Sequence, residues 1–365
     1  MAFPADVKKG FDLFQKKQNL LFSAISRDGI SGITNLAMRY YEAKKEPIKT
    51  NYVPTALHVE ITTACNLRCT ICEHTYMQKV GGHLDLDGFK RLIDSTPSLL
   101  VINITGIGEN FMNPQFLDMV SYAKRKGLYV WFTDNMTMLF PNSAQKLLDA
   151  GVDLIVASLD GATKETFEGI RIGAKFESVI RNTKELIRIR DERGLSNPLV
   201  GINMVVTKSN YTELEQMVRL CHEMKIDKLM FITILISDNN DEFALYSVSK
   251  KDIDEVLDKA KKTAEELGVE VINWPNTRTQ KSEKTGCDFP WKNPYITYNG
   301  DVLPCCLIPQ ESGGRSKDEN IMGNILKEDL KTIWNNEKYQ SFRKKIKTKD
   351  PPSSCKICPK FYGLA

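Results

Sequence analysis

The strongest constraint on how this chain can fold is a repeated alternation of short apolar runs and amphipathic segments between residues 56 and 236. Three of the runs, at 153–158, 199–206 and 228–236, are almost continuously apolar. Unbroken apolarity indicates strands buried on both faces, as in a parallel sheet covered by helices. Six strand–helix repeats therefore predict an α/β fold, built as an incomplete barrel or a doubly wound sheet.

The repeats place both kinds of element. Strands are predicted at 57–61, 100–104, 128–133, 153–158, 199–206 and 228–236. Helices are predicted at 86–95, 114–126, 143–150, 164–170, 176–193 and 211–224. In a parallel barrel the loops after the strands carry the chemistry, so those loops are where functional residues are expected.

The segments outside these repeats divide the rest of the chain. Residues 1–50 are predicted to be helical, with Gly29 and Gly32 interrupting the pattern, and 51–236 form the barrel. Residues 237–286 connect the barrel to the C-terminal domain, with a serine-capped helix at 249–267 and one more short strand at 269–272. Residues 287–365 form a small cysteine-rich α+β domain. The apolar side chains between Phe11 and Phe22 are expected to pack on the barrel, with contact to a membrane surface or lipid as the alternative.

Composition excludes several functions. The net charge is only +4, with no concentrated basic face, so no nucleic-acid partner is expected. No apolar stretch reaches the roughly 18 residues needed to span a membrane. The N-terminus lacks the pattern of a secretory signal, so a cytoplasmic location is expected, where clustered cysteines indicate metal sites rather than disulfides.

The nine cysteines form two groups. Cys65, Cys69 and Cys72 form the first, and five more lie between residues 287 and 358. Cys221 stands alone in a segment with helical apolar spacing, which predicts a core residue.

The first group has the spacing C-x3-C-x2-C and follows the first predicted strand. A cubane [4Fe–4S] cluster normally takes four thiolates, so three leave one iron open. That iron can chelate the amino and carboxylate groups of S-adenosylmethionine (SAM), and an electron from the cluster then cleaves SAM to a 5′-deoxyadenosyl radical. Zinc binding, with His74 as a fourth ligand, and coincidence are the alternatives.

From about residue 55 to its end, the chain resembles the radical SAM superfamily. The resemblance implies a partial (β/α)6 TIM-like barrel, a SAM-binding [4Fe–4S] cluster on Cys65, Cys69 and Cys72, and a reductase partner such as flavodoxin or ferredoxin. Residues 105–109, with the sequence TGIGE, resemble the family's Gly-Gly-Glu motif, whose backbone meets the SAM amino group. This implies SAM contacts at Gly106, Gly108 and Glu109.

A second segment, SLDGATKETFEGIR, resembles a family segment in which a serine and a later arginine contact SAM. The resemblance assigns this role to Ser158 and Arg171 and extends it to Asp160, since arginine suits a carboxylate. Asn203 is a candidate for the ribose.

Two positions depart from the family pattern. Ile71 stands where an aromatic residue often precedes the third cysteine, which puts an adenine contact there in doubt. Residues 133–136 read TDNM where many relatives have Thr-Asn-Gly.

In the second group, Cys287 and Cys305 flank a predicted hairpin with a two-residue Asn299–Gly300 turn, and Cys355 and Cys358 follow a mostly helical segment. Spacing alone allows zinc or iron–sulfur. The pattern resembles the Twitch form of the SPASM/Twitch domain, which implies one auxiliary [4Fe–4S] cluster on these four cysteines. Cys306 is then spare, and is interpreted as a buried thiol or as a hydrogen-atom donor of the kind found in radical SAM epimerases.

These expectations predict an oxidoreductase. The radical would take a hydrogen from a small-molecule substrate, and the substrate radical would pass an electron to the auxiliary cluster, which is a dehydrogenation. Epimerisation, peptide modification and a non-catalytic metal-binding scaffold are the alternatives. The candidate general bases, all near predicted strand ends, are Lys208, Asp160 and Glu60.

Overall fold

The computed structural model describes residues 13–77, 81–234, 241–245, 248–275, 286–308, 318–348, 350–356 and 358–363. Its ten strands are β1 Ala56–Val59, β2 Val101–Ile104, β3 Tyr129–Asp134, β4 Leu154–Ser158, β5 Leu199–Val206, β6 Lys228–Thr233, β7 Val271–Asn273, β8 Tyr295–Ile296, β9 Asp301–Leu303 and β10 Gly323–Asn324. The helices are α1 Leu13–Glu42, α2 Leu86–Asp94, α3 Phe116–Arg125, α4 Pro141–Ala150, α5 Lys164–Ile170, α6 Phe176–Glu192, α7 Leu214–Glu223, α8 Lys250–Leu267, α9 Leu330–Trp334, α10 Glu337–Ile346 and α11 Ser353–Lys356.

All ten strands belong to one sheet in the order β10-β9-β8-β1-β2-β3-β4-β5-β6-β7. The pairs from β1 to β7 are parallel, and helices follow the strands as the sequence predicts. Every residue of β4 is buried, which matches a strand covered on both faces. The predicted seventh strand is present as β7, on the edge beside β6.

Two apolar clusters pack on the two faces of the sheet. The larger joins the sheet to its helices and also includes C-terminal residues such as Trp291 and Trp334. The smaller contains Leu154, Val156 and Met230, with Tyr129 and Trp131 packed against it. Because residues two apart on a strand share a face, Ser158 lies on the same face as Leu154 and Val156.

The C-terminal hairpin is part of the same sheet, which the sequence did not indicate. β8 pairs in parallel with β1, placing Tyr295 beside His58, and pairs antiparallel with β9. Three residues, 298–300, form the loop between Thr297 and Asp301, one more than in the predicted two-residue turn. Thr297 donates its N–H to the carbonyl of Asp301, and Gly300 has a positive φ of 86°.

The segment before β1 also binds the C-terminal region. The Tyr52 hydroxyl donates to the carbonyl of Trp291 at 2.6 Å, and the Trp291 indole N–H donates to the carbonyl of Pro47 at 2.6 Å. Buried Arg343 donates to the carbonyl of Ile48 at 3.3 Å. These contacts tie the chain on both sides of the barrel into one body.

Some N-terminal predictions can be compared with the structure and others cannot. Helix α1 is kinked at Gly29, which has a φ of 56°. Residues 11 and 12 and the side chains of residues 13–23 lie outside what the structure describes, so the packing of the apolar side chains between Phe11 and Phe22 stays a prediction. Within the described residues, no helix has the length and apolarity needed to cross a bilayer.

Candidate functional site

The three-cysteine loop leaves the carboxyl end of β1 and brings its thiols together. Burial first, and then the charges of nearby Glu109, Cys72 and Cys69, raise the pKa of Cys65 to about 12. Burial also raises the pKa of Cys69 to about 11. All three side chains are partly exposed. The structure therefore places the three predicted ligands as neighbours at the edge where the strands end.

Main-chain and side-chain hydrogen bonds fix this loop. Arg68 donates its N–H to the carbonyl of Ile172 at 3.0 Å, and Thr70 donates to Ile170 at 2.9 Å. Arg171 lies between these two carbonyl groups in sequence, so the same pairing holds it beside the thiols. The side-chain amide of Asn135 donates to the Asn66 side chain at 2.9 Å.

Arg171 is buried with its charge compensated. Its Nη2 lies 2.7 Å from Asp160 Oδ2, and the side chains are 8% and 0% exposed. Asp160 also accepts from the N–H of Val205 at 2.8 Å. The Arg171 guanidinium is close enough to Cys69 to oppose the rise in the pKa of that thiol. The geometry makes Asp160 the counter-ion of Arg171, which in turn faces the thiol site.

The glycine-containing turn after β2 packs tightly against the cysteine loop. A Cβ on Gly108 would lie 2.4 Å from the carbonyl oxygen of Thr62, and one on Gly106 would lie 2.4 Å from Cγ of Glu60. Glu109 donates its N–H to the carbonyl of Ala64 at 2.7 Å. Glycine at both positions is thus required by the close approach of two backbones and a side chain.

The departure at residues 133–136 has a structural explanation. Burial and the charge of Asp134 raise the pKa of Glu109 well above its usual range, so these two carboxyl groups are neighbours. Glu109 accepts from the N–H of Asn135 at 3.0 Å, and Asp134 accepts from the N–H of Met136 at 2.6 Å. Met136 takes a positive φ of 61°. The segment thus orients Glu109 and, through Asn135, holds the cysteine loop.

Ser158, the last residue of β4, and Asn203, in the middle of β5, lie side by side as register partners. They are 3% and 2% exposed and sit beyond the apolar cluster of Leu154, Val156 and Met230. Both predicted SAM contacts are therefore on the same side of the sheet.

The C-terminal cysteines come together from three separate segments. Burial raises the pKa of Cys305 well above its usual range, and the nearby thiols of Cys306, Cys287, Cys358 and Cys355 raise it further. Within the described ranges, no three His, Cys, Asp or Glu side chains are arranged to hold one metal ion. The four predicted ligands are therefore neighbours that do not converge on a single ion, and Cys306 lies beside them.

The other candidates have distinct environments. Lys208 is exposed, whereas Glu60 is buried and accepts hydrogen bonds from the Ile107 N–H and the Tyr295 hydroxyl. Buried His74 contacts the carbonyl of Thr63 through Nε2 at 3.0 Å. This contact engages only Nε2, but within the described residues His74 belongs to no group of three side chains arranged to hold a metal ion.

Sequence reasoning missed several residues that shape the site: His58, Asn66, Asn135 and Tyr295. His58 lies in β1 and Asn135 directly follows β3, where a polar residue interrupts an apolar pattern, and that signal marks both for attention. Asn66 lies inside the cysteine loop, outside the apolar pattern of β1. Tyr295 had no such signal, because its position depends on β8 pairing with β1.

The residues present fit iron–sulfur clusters and SAM. Three neighbouring thiols leave one corner of a cubane without a protein ligand, and Arg171 offers a guanidinium to a carboxylate bound there. The C-terminal group can supply one thiolate to each of four irons.

Comparison with known proteins gives two family matches. The profile of the radical SAM superfamily matches residues 59–221, and that of the SPASM iron–sulfur cluster-binding domain matches residues 287–359. The tungsten-containing aldehyde ferredoxin oxidoreductase cofactor-modifying protein of Pyrococcus furiosus is 29% identical over 301 residues, covering 79% of this chain and 82% of that protein.

Two further similarities extend over most of the chain. The AdoMet-dependent heme synthase of Methanosarcina barkeri is 25% identical over 329 residues, covering 84% of this chain and 88% of that protein. The solved structure of Streptococcus suis SuiB bound to S-adenosylmethionine has a TM-score of 0.67 at 17% identity, covering 95% of this chain and 81% of that one. This structural likeness confirms the predicted fold class.

Proposed function

Because the chain belongs to the radical SAM superfamily and carries a SPASM iron–sulfur domain, we propose that it oxidises a small-molecule substrate by radical chemistry. The observation that carries the oxidative assignment is the group of four C-terminal thiols, Cys287, Cys305, Cys355 and Cys358. Four protein ligands leave no iron open to substrate, which suits a cluster that accepts an electron.

At the three-cysteine site, the chain's own residues position the cofactors. Cys65, Cys69 and Cys72 hold the cluster, and Arg171 binds the SAM carboxylate while Asp160 balances its charge. The turn with Gly106 and Gly108 receives the SAM amino group. When bound, cluster and SAM together supply a 5′-deoxyadenosyl radical by one-electron cleavage.

The proposed net reaction removes two electrons from one substrate carbon. The substrate carbon would give up a hydrogen atom and then a proton, to the enzyme or solvent, and the cluster held by Cys287, Cys305, Cys355 and Cys358 would accept the remaining electron. For an alcohol carbon the product is a ketone or aldehyde. The electron that cleaves SAM comes from a reductase of the flavodoxin or ferredoxin class.

Two relatives support a small organic substrate for the proposed reaction. The two relatives that cover 79% and 84% of this chain are named for cofactor modification and heme synthesis. We infer that the substrate of this chain is likewise a small molecule, such as a cofactor precursor.

Anaerobic reconstitution tests the proposal. We expect about eight irons per chain for two cubanes, and release of 5′-deoxyadenosine from SAM under a strong reductant. A Cys355→Ser/Cys358→Ser variant should keep about four irons and the three-cysteine site. Colourless, zinc-containing protein that leaves SAM intact would instead support a non-catalytic scaffold.

Cys306 separates oxidation from epimerisation. For any substrate that the enzyme turns over, oxidation gives a product two mass units lighter, with Cys306→Ala retaining turnover and product. An epimerase would instead give a product of unchanged mass that gains one deuterium in D2O, and this gain would be lost in Cys306→Ala.

A further inference from the structure

Glu60 connects the C-terminal hairpin with the glycine-containing turn. Its Oε2 accepts a hydrogen bond from the Tyr295 hydroxyl at 2.8 Å and another from the Ile107 N–H at 3.0 Å. Glu60 and Tyr295 are each 2% exposed. One buried carboxylate oxygen therefore binds a donor from the cysteine-rich domain and a donor from the turn after β2.

The backbone around Glu60 is fixed by the same hairpin. Glu60 donates its N–H to the carbonyl of Ile296 at 2.8 Å, directly beyond the paired residues His58 and Tyr295. The main-chain hydrogen bond fixes the position of the Glu60 backbone, and the Tyr295 hydroxyl fixes the position of its carboxyl group.

The glycine turn rests directly on this side chain. A Cβ at Gly106 would come within 2.4 Å of Cγ and 2.7 Å of Cβ of Glu60. The turn therefore has no space to move toward Glu60, and the bond to Ile107 prevents it from moving away. A shift of the Glu60 carboxylate must shift Gly106 and Ile107 with it, because protein interiors leave few voids.

We propose that Tyr295 is a positioning residue for SAM, whose hydroxyl orients Glu60 so that the turn at Gly106 and Ile107 takes its SAM-binding shape. The inference rests on the proposed SAM site at this turn. A residue of the C-terminal hairpin, ten positions before Cys305, thus affects the affinity for SAM at the three-cysteine site.

The variant Tyr295→Phe isolates the hydroxyl. The ring of Tyr295 packs on His58 with centroids 4.9 Å apart, and phenylalanine keeps that contact. Tyr298→Phe is the matched control, because Tyr298 lies on the same hairpin as Tyr295 and its ring packs at Gly82 instead. Its backbone N–H, which also bonds Glu60, is unchanged by the substitution.

The measurement is the dissociation constant of SAM on iron-loaded, anaerobic protein. We expect Tyr295→Phe to raise it about tenfold, as for one lost buried hydrogen bond, with iron content and melting temperature near wild type. In SAM cleavage without substrate, KM for SAM should rise while kcat is retained. Tyr298→Phe should match wild type in both.

A second variant guards against misfolding of the first. A Glu60→Gln background lacks the carboxyl group that the Tyr295 hydroxyl orients, so removing the hydroxyl there should raise the dissociation constant by a smaller factor than in wild type. An unchanged affinity in Tyr295→Phe, or an equal loss in Tyr298→Phe, overturns the inference alone. A wild-type enzyme that binds no SAM overturns the proposed function and this inference with it.

Discussion

Arg171 and Asp160 form a buried ion pair next to the three thiols, with N and O atoms 2.7 Å apart. A buried charge that loses its partner is poorly solvated, so such pairs are costly to break even where their net contribution to stability is small. The local consequence is a guanidinium held in place before any ligand reaches it.

We predict that Asp160→Asn lowers the free energy of unfolding by about 3–5 kcal/mol, because Arg171 stays buried and uncompensated. The control is Glu185→Gln, whose partner Arg188 lies at the same 2.7 Å separation but whose pair is largely exposed. That change should cost less than about 1 kcal/mol in urea denaturation. Equal losses in the two variants would contradict the argument from burial.

His58 illustrates a second effect of burial at the residue scale. Desolvation lowers its pKa to about 3, so it stays neutral in the folded protein while the unfolded form titrates near 6.5. Between those values the unfolded chain binds the extra proton, so stability is full above pH 6.5 and falls on acidification.

Between pH 6.5 and 5, we predict that wild type loses about 1.5 kcal/mol more stability than His58→Gln, from this one titration. Parallel denaturation series at several pH values provide the measurement. Identical pH profiles for the two proteins would show that His58 is not held neutral by the fold.

At the scale of elements, the site depends on loops packed against each other at the ends of strands. Asn113 joins two such loops, because its side-chain amide donates to the carbonyls of Ile61 and Leu84, both at 2.9 Å. Asn210 likewise donates to the carbonyls of Asp160 and Val205. Side-chain amides thus join neighbouring βα loops where backbone groups would otherwise lack partners.

Two glycines should respond to alanine in opposite directions. Gly108→Ala puts a Cβ 2.4 Å from a backbone oxygen, so we expect a loss of about 1–3 kcal/mol and weakened SAM binding. Gly169, in α5, has open space around an added Cβ, so Gly169→Ala should gain about 0.5–1 kcal/mol. A Gly108→Ala protein with wild-type stability and SAM affinity would contradict the packing described for the turn.

At the scale of the whole molecule, the barrel and the cysteine-rich region share a sheet and a core. β8 adds to β1, and one apolar cluster contains residues from both regions. The hydrogen bonds of Arg343 to Ile48 and of Tyr52 to Trp291 reinforce the connection from opposite ends of the sequence. Neither region buries its edge strand or its apolar surface without the other.

We therefore predict one cooperative unfolding transition. A Trp131→Phe/Trp274→Phe variant leaves Trp291 and Trp334 as fluorescent reporters of the C-terminal region, while far-UV circular dichroism follows mainly the barrel helices. The two signals should give coincident denaturation curves, as for a single cooperative unit. Separate midpoints would show that the two regions unfold independently.

The sequence by itself determined the strand–helix alternation and the position of the cysteine loop. Local patterns suffice for these, because buried strands and amphipathic helices differ in apolar periodicity and the strand end is where a parallel sheet exposes a loop. The predicted strand at 199–206 coincides with β5, and the strand predicted at 228–236 matches β6 up to Thr233, with 235 and 236 outside the described residues. The assignment of individual SAM contacts stays a prediction.

Only the tertiary structure decided which distant groups meet. The pairing of β8 with β1, the contact of Tyr295 with Glu60 and the neighbouring carboxyl groups of Glu109 and Asp134 join residues far apart in the chain. No local propensity encodes such contacts, since they arise when separate elements bury their surfaces against each other. Sequence patterns therefore located the chemistry, whereas packing decided how its parts are held.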